Sequence, residues 1–417
     1  MEKIIEETLI SGSKFIFQKN SNFPSFSLFV LVPSGSIFET EDTNGYSHFI
    51  EHLVFKGTKR RSSLDIPREI EGIGGDMNAF TGSEFTGFYI RARDKHFDKA
   101  SDVLFDILFN ASFPEVEIER EKNVVIQEIL SLEDSPDELS IIELKKAMWS
   151  GSPFSFKVIG EDSVIKNATR DKLINFYRSF YNPEKIVISV YGNLEFGRVK
   201  SILEEKINKR GKNFRLNSSP KPPEFKRGIS VKWKDTKQVH VSIGFPFPSL
   251  VSPNYYSSLL YTVILGGGMS SRLYSRIREE LGLVYSIYTF TLSYKDTGAG
   301  VIYFATSKEN VGKVVDEIKA ILTRIVKEGV KEDEIERGKE YLIGNSLLKL
   351  ESSLSRSERN AVSYYRRGYV EIFDEVIKKL QSVTYDEIMM EAEKVNFDNV
   401  SFGVCGDISY DEFKRLL

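Results

Sequence analysis

An internal repeat constrains the fold of this 417-residue chain more than any other sequence feature. The segment VYGNL at residues 190–194 returns as VCGDI at residues 404–408, an offset of 214 (404 minus 190). The segment EIEREK at 117–122 returns as EIERGK at 334–339, an offset of 217 (334 minus 117). Two echoes at nearly the same spacing predict two homologous domains.

The boundary between these domains is predicted where periodicity stops. Pro220, Pro222 and Pro223 lie there among several Lys, Arg and Ser residues, and this composition interrupts both helical and strand patterns. The sequence therefore predicts a first domain at residues 1–207, a linker at 208–226 and a second domain at 227–417.

The order of helical and strand patterns indicates the fold class. Alternating apolar positions at residues 85–93 and 239–245 are typical of strands, whereas the longer patterns at 114–132 and 311–327 are typical of helices. These elements do not follow a regular βαβα order. The prediction is an α+β fold of two homologous domains, each a largely antiparallel sheet with helices packed on one face.

Composition and charge exclude several classes of partner. Lys and Arg number 57 against 60 Asp and Glu, and the resulting net charge of −3 leaves no basic excess for nucleic acid. No apolar run approaches the roughly 18 residues needed to cross a bilayer, so a membrane is not expected as a partner. The first seven residues carry three acids and lack the apolar stretch of a secretory signal, which predicts a cytoplasmic location.

A short histidine motif points to a metal. Two of the four histidines, His48 and His52, lie four residues apart in the segment HFIEH. On a helix they share one face and can bind one Zn²⁺, while Glu51 projects beside the metal as a general base. This H-x-x-E-H order is the inverzincin motif. The alternative is that these residues are ordinary surface residues of a helix. A metal site is favoured because half of the chain's histidines lie within five residues.

A catalytic zinc usually has three protein ligands, so one more donor is needed. The helix predicted from Pro114 carries Glu121 and Glu128, each three residues after an apolar position, Ile118 and Val125 respectively. Both carboxylates therefore share the inward face, where an acid requires a partner. Glu128 is the leading candidate for the third ligand.

The repeat shows that the second domain cannot contain the same site. Its alignment places Gly338 opposite Glu121 and Asn345 opposite Glu128, and the second half has no H-x-x-E-H segment. One domain would carry out chemistry, and the other would serve as a wall and substrate clamp.

Four motifs carry a resemblance to a known family. They are HFIEHLVFKGT at 48–58, GGDMNAFT at 74–81, EREKNVVIQE at 119–128 and GGGMSSRLYSRIREELGLVYSIY at 266–288. With these motifs the chain resembles the pitrilysin or insulinase-type zinc peptidases, and in particular the short-chain branch that is similar to the β subunit of mitochondrial processing peptidase and its bacterial relatives. The resemblance spans both halves.

The resemblance implies a role for each residue of the metal site. His48, His52 and Glu128 would bind one zinc ion per chain. Glu51 would activate water as the catalytic base, and Glu121 would support the site from behind the ligands.

The resemblance also implies substrate contacts. An edge strand would pair with the substrate backbone through Asn78, Ala79 and Phe80. Arg278 and Tyr285, which keep the seven-residue spacing of the family, would contact the substrate near the scissile bond. Arg272 and Arg276 lie close enough in the sequence to be alternatives to Arg278.

The expected activity is hydrolysis of peptide bonds by a zinc metalloendopeptidase. Family members of this length assemble in pairs, which implies a homodimer that encloses one chamber and selects short or unfolded peptides. A noncatalytic or partner-dependent assembly subunit of the same fold is the alternative, although such proteins typically lose motif residues that this chain retains. A zinc hydrolase that acts on a nonpeptide amide is a third possibility.

Overall fold

The computed structural model describes residues 3–207 and 220–417. The chain forms two compact units, each assembled from segments that are distant in sequence. Unit 1 consists of Met1–Leu130, Lys157–Pro220 and Lys349–Glu371. Unit 2 consists of Ser131–Phe156, Lys221–Leu348 and Ile372–Leu417.

The described strands, in chain order, are β1 (Ile4–Thr8), β2 (Lys14–Lys19), β3 (Ser25–Val32), β4 (Asp76–Thr81), β5 (Thr86–Arg93), β6 (Val187–Gly192), β7 (Ile229–Trp233), β8 (Val239–Phe247), β9 (Ser286–Ser293), β10 (Gly298–Thr306) and β11 (Ser401–Gly406).

The described α-helices are α1 (Tyr46–Val54), α2 (Asp65–Glu71), α3 (Phe97–Asn110), α4 (Glu115–Glu133), α5 (Pro136–Met148), α6 (Asp162–Lys166), α7 (Arg170–Phe180), α8 (Phe196–Ile207), α9 (Tyr255–Gly266), α10 (Val311–Glu328), α11 (Glu332–Lys349), α12 (Ser353–Arg367), α13 (Phe373–Ser382), α14 (Tyr385–Lys394) and α15 (Tyr410–Arg415). A π-helix spans Tyr274–Glu280.

The two sheets share one topology. In unit 1 the strand order is β1-β2-β6-β3-β5-β4, and in unit 2 it is β7-β11-β8-β10-β9. In each sheet one pair is parallel, β2 with β6 and β7 with β11, while the other neighbours are antiparallel. The described part of unit 2 therefore repeats the topology of unit 1, as the internal repeat predicts. It has no counterpart of β1.

Both faces of the first sheet are covered. On β3, Leu28 and Val30 lie in the main core with helices α1 and α3. The alternate residues Phe29 and Leu31 lie in a separate cluster that includes Ala361 of helix α12. A strand that is apolar at nearly every position is typical of a sheet buried on both faces. Helices of the first half pack on one face of the sheet, as predicted. A helix from the second half of the chain, α12, covers the opposite face.

Helix α5 makes the reciprocal exchange and packs on the sheet of unit 2. The helix lies directly on Gly403 of β11, where an added Cβ would meet the backbone nitrogen of Leu144 at 2.0 Å. Beside it, the hydroxyls of Ser140 and Ser242 are hydrogen bonded at 2.8 Å. Small residues on two strands thus form the flat surface that this helix needs.

The predicted linker lies mainly outside the described residues, since residues 208–219 fall between the two described ranges. The predicted domain boundaries therefore stay a prediction. Within the described ranges, no helix combines the length and the apolar character that a membrane span requires.

Candidate metal centre

Helix α1 holds the H-x-x-E-H motif, and its start is fixed by a buried acid. The carboxylate of Glu39 accepts hydrogen bonds from the backbone N–H groups of Gly45 and Ser47 at 2.8 and 2.7 Å. Burial raises the pKa of Glu39, although these hydrogen bonds oppose the shift. Gly45 has a φ of 101° and sits against Gly160, so a side chain at this position would be strained and would clash.

The apolar residues of α1 set the direction of its polar ones. Phe49, Ile50, Leu53 and Val54 are fully buried in the core of unit 1. His48 and His52 therefore share the opposite side of the helix, with ring centroids 4.7 Å apart.

The predicted third ligand faces the two histidines. Oε2 of Glu128, on helix α4, lies 3.5 Å from Nε2 of His48 and 3.6 Å from Nε2 of His52. Each residue offers one ligand atom, and the three atoms lie within 4.8 Å of one another. No second group of this kind is found in residues 3–207 and 220–417. The structure brings together the three residues that the sequence predicts as ligands.

This donor set fits zinc. Zinc binds imidazole nitrogen and carboxylate oxygen at about 2.1 Å in a tetrahedral arrangement, which places neighbouring ligand atoms roughly 3.4 Å apart. The two gaps from Glu128 to the histidines match that spacing and exceed an ordinary hydrogen bond. Two nitrogens and one oxygen also leave the fourth position open, which is the pattern of catalytic rather than structural zinc.

Glu121 orients one of the two histidines. Its Oε2 lies 3.1 Å from Nδ1 of His52, and its Oε1 lies 2.8 Å from Nζ of Lys56. Burial alone would raise the pKa of Glu121, but the hydrogen bonds from His52 and Lys56 outweigh it and lower the pKa. A carboxylate behind a ligating imidazole fixes the ring and directs the other nitrogen to the metal.

His48 lacks such a partner. Its Nδ1 is buried and makes no hydrogen bond within the described residues. Burial, followed by the charge of His52, lowers the pKa of His48 to about 4, so the ring is neutral near pH 7 and keeps a lone pair for a metal. By contrast, burial would lower the pKa of His52, but Glu121 and the neighbouring carboxylates raise it.

Glu51 lies beside the ligands and is held by a threonine. The hydroxyl of Thr81, the last residue of β4, donates a hydrogen bond to Oε2 of Glu51. Burial raises the pKa of Glu51 despite this bond. The buried hydroxyl of Tyr181 makes no hydrogen bond in the part of the chain that the structure describes. Burial, followed by the charge of Glu51, raises the pKa of Tyr181.

The predicted substrate strand is part of β4 and lies at the edge of the first sheet. Asn78 and Ala79 face Tyr89 and Phe88 of β5, and the backbone N–H of Ala79 donates to Oδ1 of its neighbour Asn78 at 2.8 Å. Phe80 packs in the second cluster of unit 1. The open edge is compatible with strand addition, and substrate binding there stays a prediction.

Arg278 and Tyr285 lie in unit 2. The guanidinium of Arg278 stacks on the ring of Tyr285, with 5.4 Å between its central carbon and the ring centroid. The alternatives are paired with acids: Arg272 with Glu334 and Arg276 with Glu280. Of the three arginines, Arg278 is the one for which the described residues supply no acidic partner.

Comparison with known proteins identifies the family. The family description "Insulinase (Peptidase family M16)" matches residues 14–162, and "Peptidase M16 inactive domain" matches residues 167–342. An uncharacterized zinc protease of Bacillus subtilis is 33% identical over 91% of this chain and 93% of its own length. The chain belongs to peptidase family M16. It is a pitrilysin or insulinase-type member of the short bacterial kind, and the names of its relatives support a peptidase function.

One further relative agrees with this assignment, and two solved structures share the fold. An uncharacterized zinc protease of Rickettsia felis is 32% identical over 89% of this M16 chain and 90% of its own length. A Pseudomonas fluorescens structure described as a peptidase M16 inactive domain has a TM-score of 0.90 at 19% identity over 98% of both chains. A Helicobacter pylori protease has a TM-score of 0.87 at 19% identity over 97% of this chain and 100% of its own. These structures confirm the predicted fold class.

In the second half of this M16 chain, the position that corresponds to Glu121 is a glycine packed against a leucine side chain. At Gly338 of α11, which the repeat aligns with Glu121, an added Cβ would meet the side chain of Leu260 at 2.6 Å. This observation agrees with the absence of a second metal motif in the sequence.

Three contacts were missed by sequence reasoning. Lys56 pairs with Glu121, Thr81 holds Glu51, and Tyr274 stacks on Arg278. The first could have been found from its position four residues after His52. The second could have been found from strand alternation, because Thr81 follows Met77 and Ala79 on the face of β4 that packs on the core.

Proposed function

We propose that this chain is a zinc metalloendopeptidase that hydrolyses short or unfolded peptides. The observation that carries the proposal is the convergence of His48, His52 and Glu128 on one point, with Glu51 on the same helix as the two histidines. Zinc binding alone would account for the two histidines of the motif but not for Glu51, which is not one of the three proposed ligands. A role for Glu51 as a base accounts for it.

Each residue of the centre has a distinct task in this proposal. His48, His52 and Glu128 would hold one zinc ion, which when bound would polarise the scissile carbonyl and make water a stronger nucleophile. The carboxylate of Glu51 would accept a proton from the attacking water and pass it to the leaving amine. The hydroxyl of Thr81 would keep that carboxylate in place through its hydrogen bond.

Other residues would bind the peptide. The edge of β4, at Asn78, Ala79 and Phe80, would pair with the substrate backbone as an added strand. Arg278 and Tyr285 would contact the substrate near the bond that is cleaved, as the family resemblance implies. The second domain would then serve as a clamp without its own metal.

We further propose that two chains form a homodimer that encloses the active site, in the cytoplasm. Enclosure would exclude folded proteins and favour short or unfolded peptides. Light scattering coupled to size-exclusion chromatography measures the mass of the assembly. A monomer that is fully active at low concentration would contradict the dimeric chamber but not the peptidase.

The function is tested by cleavage of an internally quenched peptide library by wild type and by Glu51→Gln, with zinc content measured on both. We expect the wild type to cleave and Glu51→Gln to bind equal zinc without cleaving, because the substitution removes the base and leaves the three ligands. Glu119→Gln is the matched control, since this exposed acid of α4 pairs with Lys122 and faces away from the site.

Three outcomes separate the alternatives. Loss of cleavage in Glu51→Gln alone supports the peptidase and the role of the base together. A zinc-loaded wild type that cleaves no peptide would favour a noncatalytic or partner-dependent subunit. Hydrolysis of nonpeptide amides without peptide cleavage would support the third possibility.

A further inference from the structure

The turn between β4 and β5, residues 82–85, connects the metal centre to helix α12. Thr81, whose hydroxyl donates a hydrogen bond to Glu51, is the last residue of β4 and directly precedes this turn. Within the turn, the backbone N–H of Gly82 donates to the carbonyl of Phe85 at 2.8 Å. The position of the Thr81 hydroxyl therefore depends on how the turn is held.

Two consecutive residues of α12 hold the turn. Glu84 is buried, with 4% of the residue exposed, and its Oε2 lies 2.6 Å from Nη2 of Arg366. The hydroxyl of Tyr365 donates to the backbone carbonyl of Glu84 at 3.3 Å. The ring of Tyr365 also meets that of Phe85 edge to face, with 6.0 Å between the centroids. Helix α12 thus contacts both the side chains and the backbone of the turn.

The loop before α1 packs closely on the same turn. The backbone N–H of Ile37 donates to the carbonyl of Ser83 at 3.0 Å. A Cβ added at Gly35 would meet that carbonyl oxygen at 2.4 Å, so there is little free space beside Ser83. The turn therefore has a well-defined position between this loop and α12.

The ion pair between Glu84 and Arg366 is the contact on which this position depends most. Burying a carboxylate is costly unless it is paired, and removing one partner of a buried ion pair leaves the other charge in an unfavourable environment. Without Arg366 the turn would be expected to rearrange so that Glu84 reaches water. Because Glu84 lies three residues after Thr81, such a rearrangement would also change the distance between Thr81 and Glu51.

We propose that Arg366 is a positioning residue of the active site: it fixes the β4–β5 turn and thereby keeps the hydroxyl of Thr81 on the carboxylate of Glu51. This inference rests on the proposed peptidase function. It gives a helix from the half of the chain without a metal motif a task in catalysis. A purely structural role is the alternative, in which the ion pair stabilises the fold but does not affect turnover by folded molecules.

A double-mutant cycle separates these roles. The full-length, zinc-loaded wild type, Arg366→Met, Thr81→Val and the double variant are compared with one quenched peptide that the wild type cleaves. Each single substitution should lower kcat by roughly 10- to 100-fold, because small misplacements remote from the reacting atoms have effects of this size. The double variant should lose little more than Thr81→Val alone, because Arg366 acts through Thr81. Zinc content should be unchanged, since the proposed ligands lie on α1 and α4.

Two further variants of α12 serve as controls. Arg367→Met breaks an ion pair of the same helix, with Glu371 at 3.3 Å, and should leave kcat unchanged because this pair does not include the turn. Arg366→Lys keeps the positive charge beside Glu84 and should retain most of the wild-type kcat. Thermal unfolding shows whether each variant is folded at the temperature of the assay.

Hydrogen exchange provides a measurement that does not depend on activity. Mass spectrometry of the full-length protein reports the exchange of the amides in residues 82–85, including the hydrogen-bonded N–H of Gly82. Arg366→Met should speed this exchange about tenfold or more, because the loss of a charged contact makes local opening easier. Arg367→Met should exchange like the wild type.

Three results would overturn the proposal. They are a wild-type kcat in Arg366→Met, losses that multiply in full in the double variant, and unchanged exchange of the turn in Arg366→Met. A wild type that cleaves no peptide would overturn the proposed function instead. The exchange measurement would then still decide whether Arg366 holds the turn.

Discussion

Glu121→Gln should weaken zinc binding without unfolding the chain. Glu121 is buried, with 5% of the residue exposed, and its carboxylate contacts two groups at once: Nδ1 of His52 at 3.1 Å and Nζ of Lys56 at 2.8 Å. The amide of Gln can accept through its single oxygen, so one of the two loses its acceptor. The amide also removes the negative charge that fixes the ring of His52 and makes it a stronger ligand.

The expected loss is about 10- to 100-fold in zinc affinity, the range seen when partners behind metal ligands are removed. That range corresponds to roughly 1.4–2.7 kcal/mol. A net contribution of about 1.5–3 kcal/mol for a hydrogen bond to a charged group is of the same size. The three ligand atoms themselves remain, so the site should weaken and not disappear.

The assay is competition for zinc between the protein and a fluorescent chelator at fixed pH and salt. Glu119→Gln is the control, because its side chain is 70% exposed on the same helix and pairs with Lys122. Thermal unfolding of both apoproteins checks the fold. If Glu121→Gln binds zinc as tightly as wild type while folded, the carboxylate does not orient His52 for a metal.

The remaining predictions concern stability. Gly403→Ala should lower the free energy of unfolding by about 3 kcal/mol or more, because the added Cβ would meet the backbone of α5 at 2.0 Å. Gly344→Ala, where the added Cβ would lie in open space on α11, should raise the free energy of unfolding by about 0.5–1 kcal/mol. Urea unfolding measures both changes. Burial lowers the pKa of Lys145 to about 8. Between about pH 8 and 10.5 this lysine is protonated in the unfolded chain but not in the folded one, so the free energy of unfolding should rise with pH in that range. Unfolding measured at several pH values should show a smaller rise for Lys145→Met. The isolated fragment 1–207 should aggregate, because it lacks α12 and exposes the cluster on the second face of its sheet, and a soluble fragment with native circular dichroism would contradict this account.

The pairing of residues within each helix of the candidate metal centre could be predicted from the sequence because it follows the helical repeat. His48 and His52 are four apart, and Glu121 and Glu128 are seven apart, so each pair shares a helix face whatever the rest of the fold does. The chemistry of the residues also favours one partner, because two imidazoles and an inward-facing carboxylate are together suited to bind one metal ion. Spacing does not bring the two helices together, so the placement of Glu128 against the histidines depended on the chemistry of the donors and on the family resemblance, and metal binding there stays a prediction.

The exchange of α5 and α12 could not be predicted in the same way. The apolar run of β3 indicates that both faces are buried, but it does not say which element covers the second face. Many amphipathic helices in the chain have a suitable apolar side. A specific signal exists at Gly403, whose missing side chain admits the backbone of α5, but a glycine in a strand has several common explanations.

Contacts between side chains from separate elements were also beyond the sequence. The hydrogen bond between Thr81 and Glu51 depends on how β4 lies against α1, and the stacking of Tyr274 on Arg278 depends on a π-helix. Periodicity gives the face on which a residue lies. It does not give the distance to a residue on another element.

The position of α12 in the chain also determines when the first sheet can be completed during synthesis. Strand β6 ends at residue 192, whereas α12 ends at residue 367, which is 175 residues later (367 minus 192). At about 5–20 residues per second a ribosome needs roughly 9–35 s to make that interval. Throughout this time the apolar outer face of the nascent sheet, with Phe29 and Leu31, has no helix to cover it. A chaperone that binds ribosome-bound chains should therefore associate with this protein until α12 has emerged.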